Sequence, residues 1–286
     1  KDIFIENRRK PICKVPEIVF GNMPNDGGNF LFTIEEKVQF LKNEPNAEPY
    51  IKEFISAKEY LNGEKRYCLW LKDIEPNILR SLSYVLERVE NVRKNRNEST
   101  RKETKDLAKT PSLFGEIRQP SSRYIVIPRV SSENRSYIPM GFFEADKIAG
   151  DTCLIVPDAG YYHFGILESK MHMIWVSYTC GRLESRFRYS KDIVYNNFPW
   201  PEFEEIVLTN EIKYKVEECV KNIFRIRLLY PQSSLSDLYN PNTMPLELVK
   251  AHDDLDRAVD ACYGRKFANK EERIEFLFEL YKQYMQ

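Results

Sequence analysis

Arg186–Pro201 reads RFRYSKDIVYNNFPWP. Upstream of it the chain runs in short apolar stretches between turn residues; downstream it takes up a helical period. Pro199 and Pro201 each fix φ and remove an amide donor, so neither pattern passes through them. The stretch is therefore expected to be a rigid junction, with Phe198 and Trp200 packing the two sides together. The fold expected is α+β: a mixed domain of short strands and helices over residues 1–201, then an all-α helical domain over 202–286.

An Asn followed by Pro and an aromatic ring also builds the pocket that grips a flipped adenine in amino-methyltransferases. That loop needs two prolines directly after the Asn and then the stacking aromatic. Here Phe198 separates Asn197 from Pro199. The stretch is not that catalytic loop.

Working outward toward the N-terminus, FGILESKMHMIWVSYTCG changes to a helical period, with Phe164, Leu167, Met171, Ile174 and Tyr178 on one face. One helix is expected from about His163 to Cys180, with Gly181 as its cap. RYIVIPRV, SYIPMGFF and DTCLIVPD are β-branched or aromatic runs of strand length. Before them, Leu82, Val85, Leu86, Val89 and Val92 predict a long helix over 78–96. Residues 80–105 hold eight basic against four acidic residues. Lys94 and Arg96 are candidates for phosphate contact there, beside the plainer reading of a solvated helix end. Nearer the start, GNMPNDGG is a turn-rich loop, NFLFT and RYCLWL are strands, and Thr33 with Glu36 forms a capping box. Toward the C-terminus, EIVLTNEIKYKVEECVKNIFRIRLLY, PLELVKAHDDLDRAVDACYG and KEERIEFLFELYKQY are amphipathic. From residue 202 onward sixteen acidic residues face twelve basic ones.

Composition bounds the class. The 286 residues balance 43 basic against 43 acidic side chains, which excludes a binder of the histone type, although segregated charge still permits contact with nucleic acid. Six cysteines are scattered without metal-ligand spacing, as in a reducing, cytoplasmic setting. No apolar run reaches the ~20 residues of a membrane span. The chain opens at Lys1 directly into IFIENRRKP, which suggests a piece of a longer protein.

Catalytic patterns are missing. S-adenosylmethionine chemistry needs a glycine-rich turn after the first strand, and the 11 glycines include no Gly-x-Gly. There is no Gly-x-Ser-x-Gly and no Walker loop. His163, His172 and His252 are far apart, and Asp253, Asp254 and Asp256 read as a solvated helix face.

Polar residues suited to base edges do cluster. RVSSENRSYIP offers Arg129, Ser131, Ser132, Glu133, Asn134, Arg135 and Tyr137; the helix adds Lys170 and His172. CGRLESRFRYS adds Arg182, Glu184, Arg186, Arg188 and Tyr189. Arginine and lysine reach guanine O6 and N7, glutamate accepts from cytosine N4, and hydroxyls hold phosphates. An exposed strand pair shows the same Arg–Glu alternation. His172 is equally suited to an interior hydrogen bond, and Arg188 and Tyr189 to joining strand to helix.

PNDGGNFLFT, RYCLWL, VRKNRNES, SSENRSYIPMGF, FGILESKMHMIWV and CGRLESRFRYSKDIVYNNFPWP follow one another as in the target-recognition domain of MmeI-like (type IIG/IIL) restriction–modification enzymes, which the chain resembles. LYNPNTMPLELVKAHDDLDRAVDACYG and EERIEFLFELY resemble their C-terminal helical domain. The resemblance implies double-stranded DNA as partner. It also implies a methyltransferase domain upstream, using S-adenosylmethionine on adenine N6, with a fused nuclease in many members. It places base reading on the loop Ser131–Tyr137, on Lys170 and His172, and on Arg182–Tyr189. Another class remains open: a protein-interaction module docking a partner subunit through its aromatic and helical surfaces.

Overall fold

The structure, a computed structural model, describes residues 4–202 and 208–286. The first residues of the expected C-terminal helical run, 205–207, lie outside the described residues. In chain order the first elements are β1 (Val19–Phe20), β2 (Leu31–Phe32), α1 (Ile34–Asn43), β3 (Ile51–Ile55), α2 (Ala57–Asn62), β4 (Tyr67–Leu69), α3 (Pro76–Ser81), α4 (Ser83–Glu98) and α5 (Lys102–Asp106). Then come β5 (Tyr124–Pro128), β6 (Val130–Ser131), β7 (Gly141–Phe143), β8 (Ile148–Ala149), β9 (Cys153–Pro157), α6 (Tyr161–Leu167), α7 (Lys170–Thr179), β10 (Gly181–Leu183) and β11 (Arg186–Arg188). The C-terminal elements are α8 (Asn210–Arg227), α9 (Leu235–Leu238), α10 (Leu246–Cys262) and α11 (Lys270–Tyr284). This is the α+β class with a helical C-terminal region.

The chain forms two compact units. One comprises Phe20–Ser121 with Phe143–Cys153; the other comprises Lys1–Val19, Ser122–Phe142 and Leu154–Gln286. The C-terminal helices thus share a unit with residues 122–142 and 154–202.

In the first unit a sheet runs β2-β4-β3-β8. Its β3–β8 edge is parallel and its other pairs antiparallel. Phe30, Phe32, Leu69, Val85, Val89 and Val92 pack into its core. The Thr33–Glu36 capping box opens α1 as its sequence requires. The long helix expected over 78–96 is instead two helices broken at Leu82. The buried Leu82 has a non-helical ψ of 86°, and the Tyr84 amide at the new N-terminus donates to Glu44 Oε2 at 2.9 Å. An acceptor distant in sequence therefore makes the break affordable.

Arg96 corrects a second expectation. It is fully buried and donates to the carbonyls of Pro24, Asn25, Leu107, Thr110 and Leu113 at 2.7–3.1 Å. Its planar fork of five donors suits a cradle of backbone carbonyls. It is a structural pin and offers nothing to a phosphate. Lys94, two residues earlier, is exposed.

In the second unit β5, β9 and their neighbours form a sheet in the order β1-β9-β5-β7. Helices α6, α8 and α10 converge tightly. A Cβ added at Gly165 would lie 2.4 Å from Val216 Cγ1, 3.0 Å from Val220 Cγ2 and 3.2 Å from Leu255 Cδ1. The single helix expected over 163–180 is two helices, because Glu168 and Ser169 leave the helical path. Ser169 caps α7 by accepting from the His172 amide. Gly181 does not cap it; Cys180 does, and Gly181 starts β10. The face buried on α7 is Met171, His172, Met173, Trp175 and Val176, while Tyr178 is exposed.

YNNFPWP is packed inside the unit that also holds the C-terminal helices. Phe198 and Trp200 are fully buried. Phe198 sits edge-on to Trp175, whose ring also packs on Phe278 and Tyr281 of α11. The Asn197 amide donates to the carbonyls of Glu6, Asp192 and Ile193, and its Oδ1 accepts from the Tyr281 hydroxyl at 3.2 Å. With its polar atoms engaged inside the protein, Asn197 has no free edge for a base.

Candidate nucleic-acid interface

Strands β10, β11 and β6 form an antiparallel three-stranded sheet. Leu183 pairs with Arg186, leaving Glu184 and Ser185 as a two-residue turn. Glu184 takes φ of +57°, the left-handed backbone that tight hairpins demand at their first central residue. Strand alternation buries Phe187 and Tyr189 and exposes Arg186 and Arg188. Arg182, paired with Phe187, lays its guanidinium over that ring at 4.1 Å. The exposed hairpin thus carries Arg186 and Arg188 on one face, Glu184 at its turn, and Arg182 on the opposite face, over Phe187.

Glu133 lies beside this hairpin. A hydrogen bond with Ser185, and after it the nearby Arg182 and Arg186, hold its carboxyl below the usual range. Arg186 Nη2 donates to Glu184 Oε2 at 2.8 Å. Both partners are largely exposed, and such pairs contribute about 0–1 kcal/mol. They exchange partners at little cost, as a reading group must.

Other expected readers sit differently. Ser131, Tyr137, His172 and Tyr189 are buried, which corrects the expectation that they present side chains outward. The Tyr137 hydroxyl donates to Asp256 Oδ2 at 2.7 Å, and its ring stacks on His252 at 4.1 Å. His172 Nε2 and the Tyr189 hydroxyl share a hydrogen bond of 2.7 Å. Burial pushes the His172 imidazole down to about 3, so it is neutral near pH 7. Arg129 is half-buried, and its carbonyl accepts from the Tyr189 amide at 2.8 Å. Lys170 is bound: its ammonium pairs with Asp253 at 2.9 Å and Asp256 at 3.2 Å, and its amide donates to Asp256 Oδ1 at 2.7 Å. Ser132 is half-buried at the rim of a pocket that also holds Arg135.

Sequence reasoning missed the residues that hold this region. Asp256 and Asp260 are buried, not solvated, and Asp260 pairs with Arg273 at 2.6 Å. Glu168, fully buried, accepts from the Met140 amide at 3.0 Å and pairs with Arg227. Arg227 also donates to the Met140 carbonyl at 2.6 Å and to the Tyr239 hydroxyl. Burial raises the Glu168 carboxyl to about 7, against the pull of Arg227. A sequence signal existed: Asp256 and Asp260 stand next to Leu255 and Val259 on the inward face of a strongly periodic helix.

Two matches cover almost all of the chain. The family model described as MmeI, target recognition domain, matches residues 1–202, and that described as MmeI, C-terminal domain, matches residues 208–286. The chain belongs to the MmeI family. DNA methyltransferase A of Bacillus subtilis (strain 168) is 42% identical over 284 residues, covering 99% of this chain and 32% of that protein. A solved structure of the type IIL restriction-modification enzyme MmeI in complex with DNA superposes with a TM-score of 0.95 at 42% identity. It covers 100% of this chain and 38% of that one. This MmeI-family chain therefore spans about a third of its curated relative's length.

The Gly27–Gly28 turn offers no open cradle to a cofactor such as S-adenosylmethionine. The one glycine pair, Gly27–Gly28, forms a turn with φ of +61° and +85°, and the Asp26 carboxylate already accepts from the Gly28 and Phe30 amides. Among the described residues no cluster of three or more His, Cys, Asp or Glu is placed to hold a metal ion. No described helix is long and apolar enough to cross a membrane.

Proposed function

We propose that this chain reads the DNA sequence for an S-adenosylmethionine-dependent adenine-N6 methyltransferase whose catalytic domain lies outside these residues. The carrying observation is the β10–β11 hairpin. It offers Arg186 and Arg188 on one face, with Glu184 at the turn, Arg182 over buried Phe187 on the other face, and Glu133 nearby. A two-stranded ribbon fits the DNA major groove, and guanidinium and carboxylate groups match the donors and acceptors displayed there. Similarity over the full chain to an enzyme solved with DNA supports the same assignment. Each bidentate contact discriminates by about 1–3 kcal/mol.

Arg186→Ala in the full-length enzyme is expected to relax specificity at one base pair of the recognised site. Methylation falling equally at all sites would show that Arg186 only positions the complex.

A protein-interaction role has one observation in its favour. Leu228, Leu229 and Leu246 are exposed near the Tyr230–Glu247 hydrogen bond that joins the end of α8 to the start of α10. Titrating the chain with duplex at several salt concentrations separates the two readings, since phosphate contact gives a steep salt slope.

A further inference from the structure

Among the described residues, Arg135 is a sheltered cation with neither a carboxylate partner nor the cradle of carbonyls that satisfies Arg96. The Arg135 guanidinium is half-buried, which disfavours its charge, and no neighbouring charge enters the balance. Arg227 and Arg273, similarly sheltered, each have a carboxylate partner. Among the described residues Arg135 has none: its bonds go to neutral hydroxyls, Ser131 Oγ at 3.5 Å and Ser236 Oγ at 3.2 Å. A partly desolvated cation without a counter-ion is costly unless an anion completes it.

The space in front of it is shaped for such an anion. An open pocket of about 470 Å³ is lined by Ser132, Asn134, Arg135, Ser236, Asn240 and Asn242, with Pro241. Every polar group there is a hydroxyl, amide or guanidinium. No carboxylate lines it, although acidic residues outnumber basic ones in the C-terminal region that supplies half the wall. Ser131, behind the wall, and Ser236 hold the Arg135 fork, and neutral amides ring it. This is a tetrahedral-anion donor set, too polar for an apolar ligand and lacking the planar stacking face a base prefers.

We propose that this pocket seats one phosphodiester of the duplex backbone, gripped by Arg135 and the Ser132, Asn134, Asn240 and Asn242 side chains. The proposal rests on the DNA-reading function above and assigns Arg135 to positioning instead of base reading. The loop 132–135 and the segment 236–242 then hold the same phosphate together, so the C-terminal helical region takes part in docking the duplex.

Duplex titration of the full chain across a salt series tests this, with Arg135→Ala and, to guard against misfolding, the exposed-site variants Asn134→Asp and Asn242→Asp. One phosphate contact contributes about 0.9 to the slope of log K against log salt. Arg135→Ala is expected to lower that slope by about 0.9 and weaken all duplex sequences equally. The two Asp variants should fold as wild type and weaken binding more at low salt than at high. An unchanged slope, or a loss confined to one base pair, overturns the pocket assignment while leaving the recognition function standing. Absence of salt-dependent duplex binding by the wild-type chain overturns both. A calorimetric arm with inorganic phosphate completes the set. If Arg135→Ala abolishes phosphate binding but spares the duplex slope, the pocket takes a free anion and the duplex assignment falls.

Discussion

The Tyr137 hydroxyl donates to Asp256 Oδ2 at 2.7 Å, while the other oxygen of that carboxylate accepts from the Lys170 amide, also at 2.7 Å. One side chain on α10 therefore ties the loop after β6 to the first turn of α7. Asp256 is buried, and burial raises its carboxyl even with these donors around it. The bonds are what keep a sheltered charge tolerable.

Asp256→Ala is expected to destabilise the protein by about 3 kcal/mol, since it leaves Tyr137 and the Lys170 amide without their acceptor. Lys170→Ala should cost about 1 kcal/mol, because its ammonium is nearly half exposed and the pair is screened. Denaturant midpoints at constant m-value measure both. Equal losses would mean that the ion pair, not the buried hydrogen bonds, carries the contact.

Arg96 and Lys94 are expected to separate cleanly. Arg96→Lys keeps the charge but not the fork, so carbonyls of residues 24–25 and 107–113 lose donors and stability falls by about 3 kcal/mol. Lys94→Ala, at an exposed site, should change stability by less than about 0.5 kcal/mol. Thermal unfolding of the two variants side by side decides it.

Gly165→Val forces side-chain bulk into the contact with Val216, Val220 and Leu255. Overpacking of this kind costs about 1–3 kcal/mol. Combining it with Val216→Ala, which opens space next to the nearest clash, should return part of that loss. Additive losses in the double variant would show that the helices had already moved apart.

Stability should depend on pH through two buried groups acting in opposite directions. His172 is pushed down to about 3 from an ordinary 6.5. Unfolding therefore takes up a proton between about pH 6.5 and 3, and stability is lost as pH falls through that window. Glu168 is raised to about 7 from an ordinary 4.5. Its contribution is fully present below about pH 4.5 and is lost as pH rises toward 7. At pH 5.5, His172→Gln should lessen the gain in stability with rising pH, by up to about 1.4 kcal/mol per pH unit. Glu168→Gln should make that gain steeper. Chemical denaturation from pH 4.5 to 7 reads both slopes, and identical slopes in all three proteins would reject the assignment.

Much of the architecture was legible in the sequence because local signals carried it. The Thr33–Glu36 box, the apolar runs that became β4, β5 and β9, and the amphipathic C-terminal helices follow from period and capping chemistry alone. The two helices whose period predicts continuity break at Leu82 and at Glu168–Ser169. In both places periodicity continues across the break, and the groups that permit it come from elsewhere: Glu44 for the Tyr84 amide, Arg227 and Met140 for Glu168. Ser169 is a capping residue inside an apolar run, and it was the available warning.

The sequence by itself determined the α+β class, the helical C-terminal region, the buried packing of YNNFPWP and the family. Each rests on residues close together along the chain or on an ordered series of motifs. Only the tertiary structure decided which polar side chains face outward. Arg186 and Arg96 are the same residue type in similarly basic stretches, yet one stands exposed on a hairpin and the other is sealed among five carbonyls. Exposure depends on what the rest of the chain places against a side chain. Partners such as Asp256 for Tyr137, 119 residues away, leave no mark at short range.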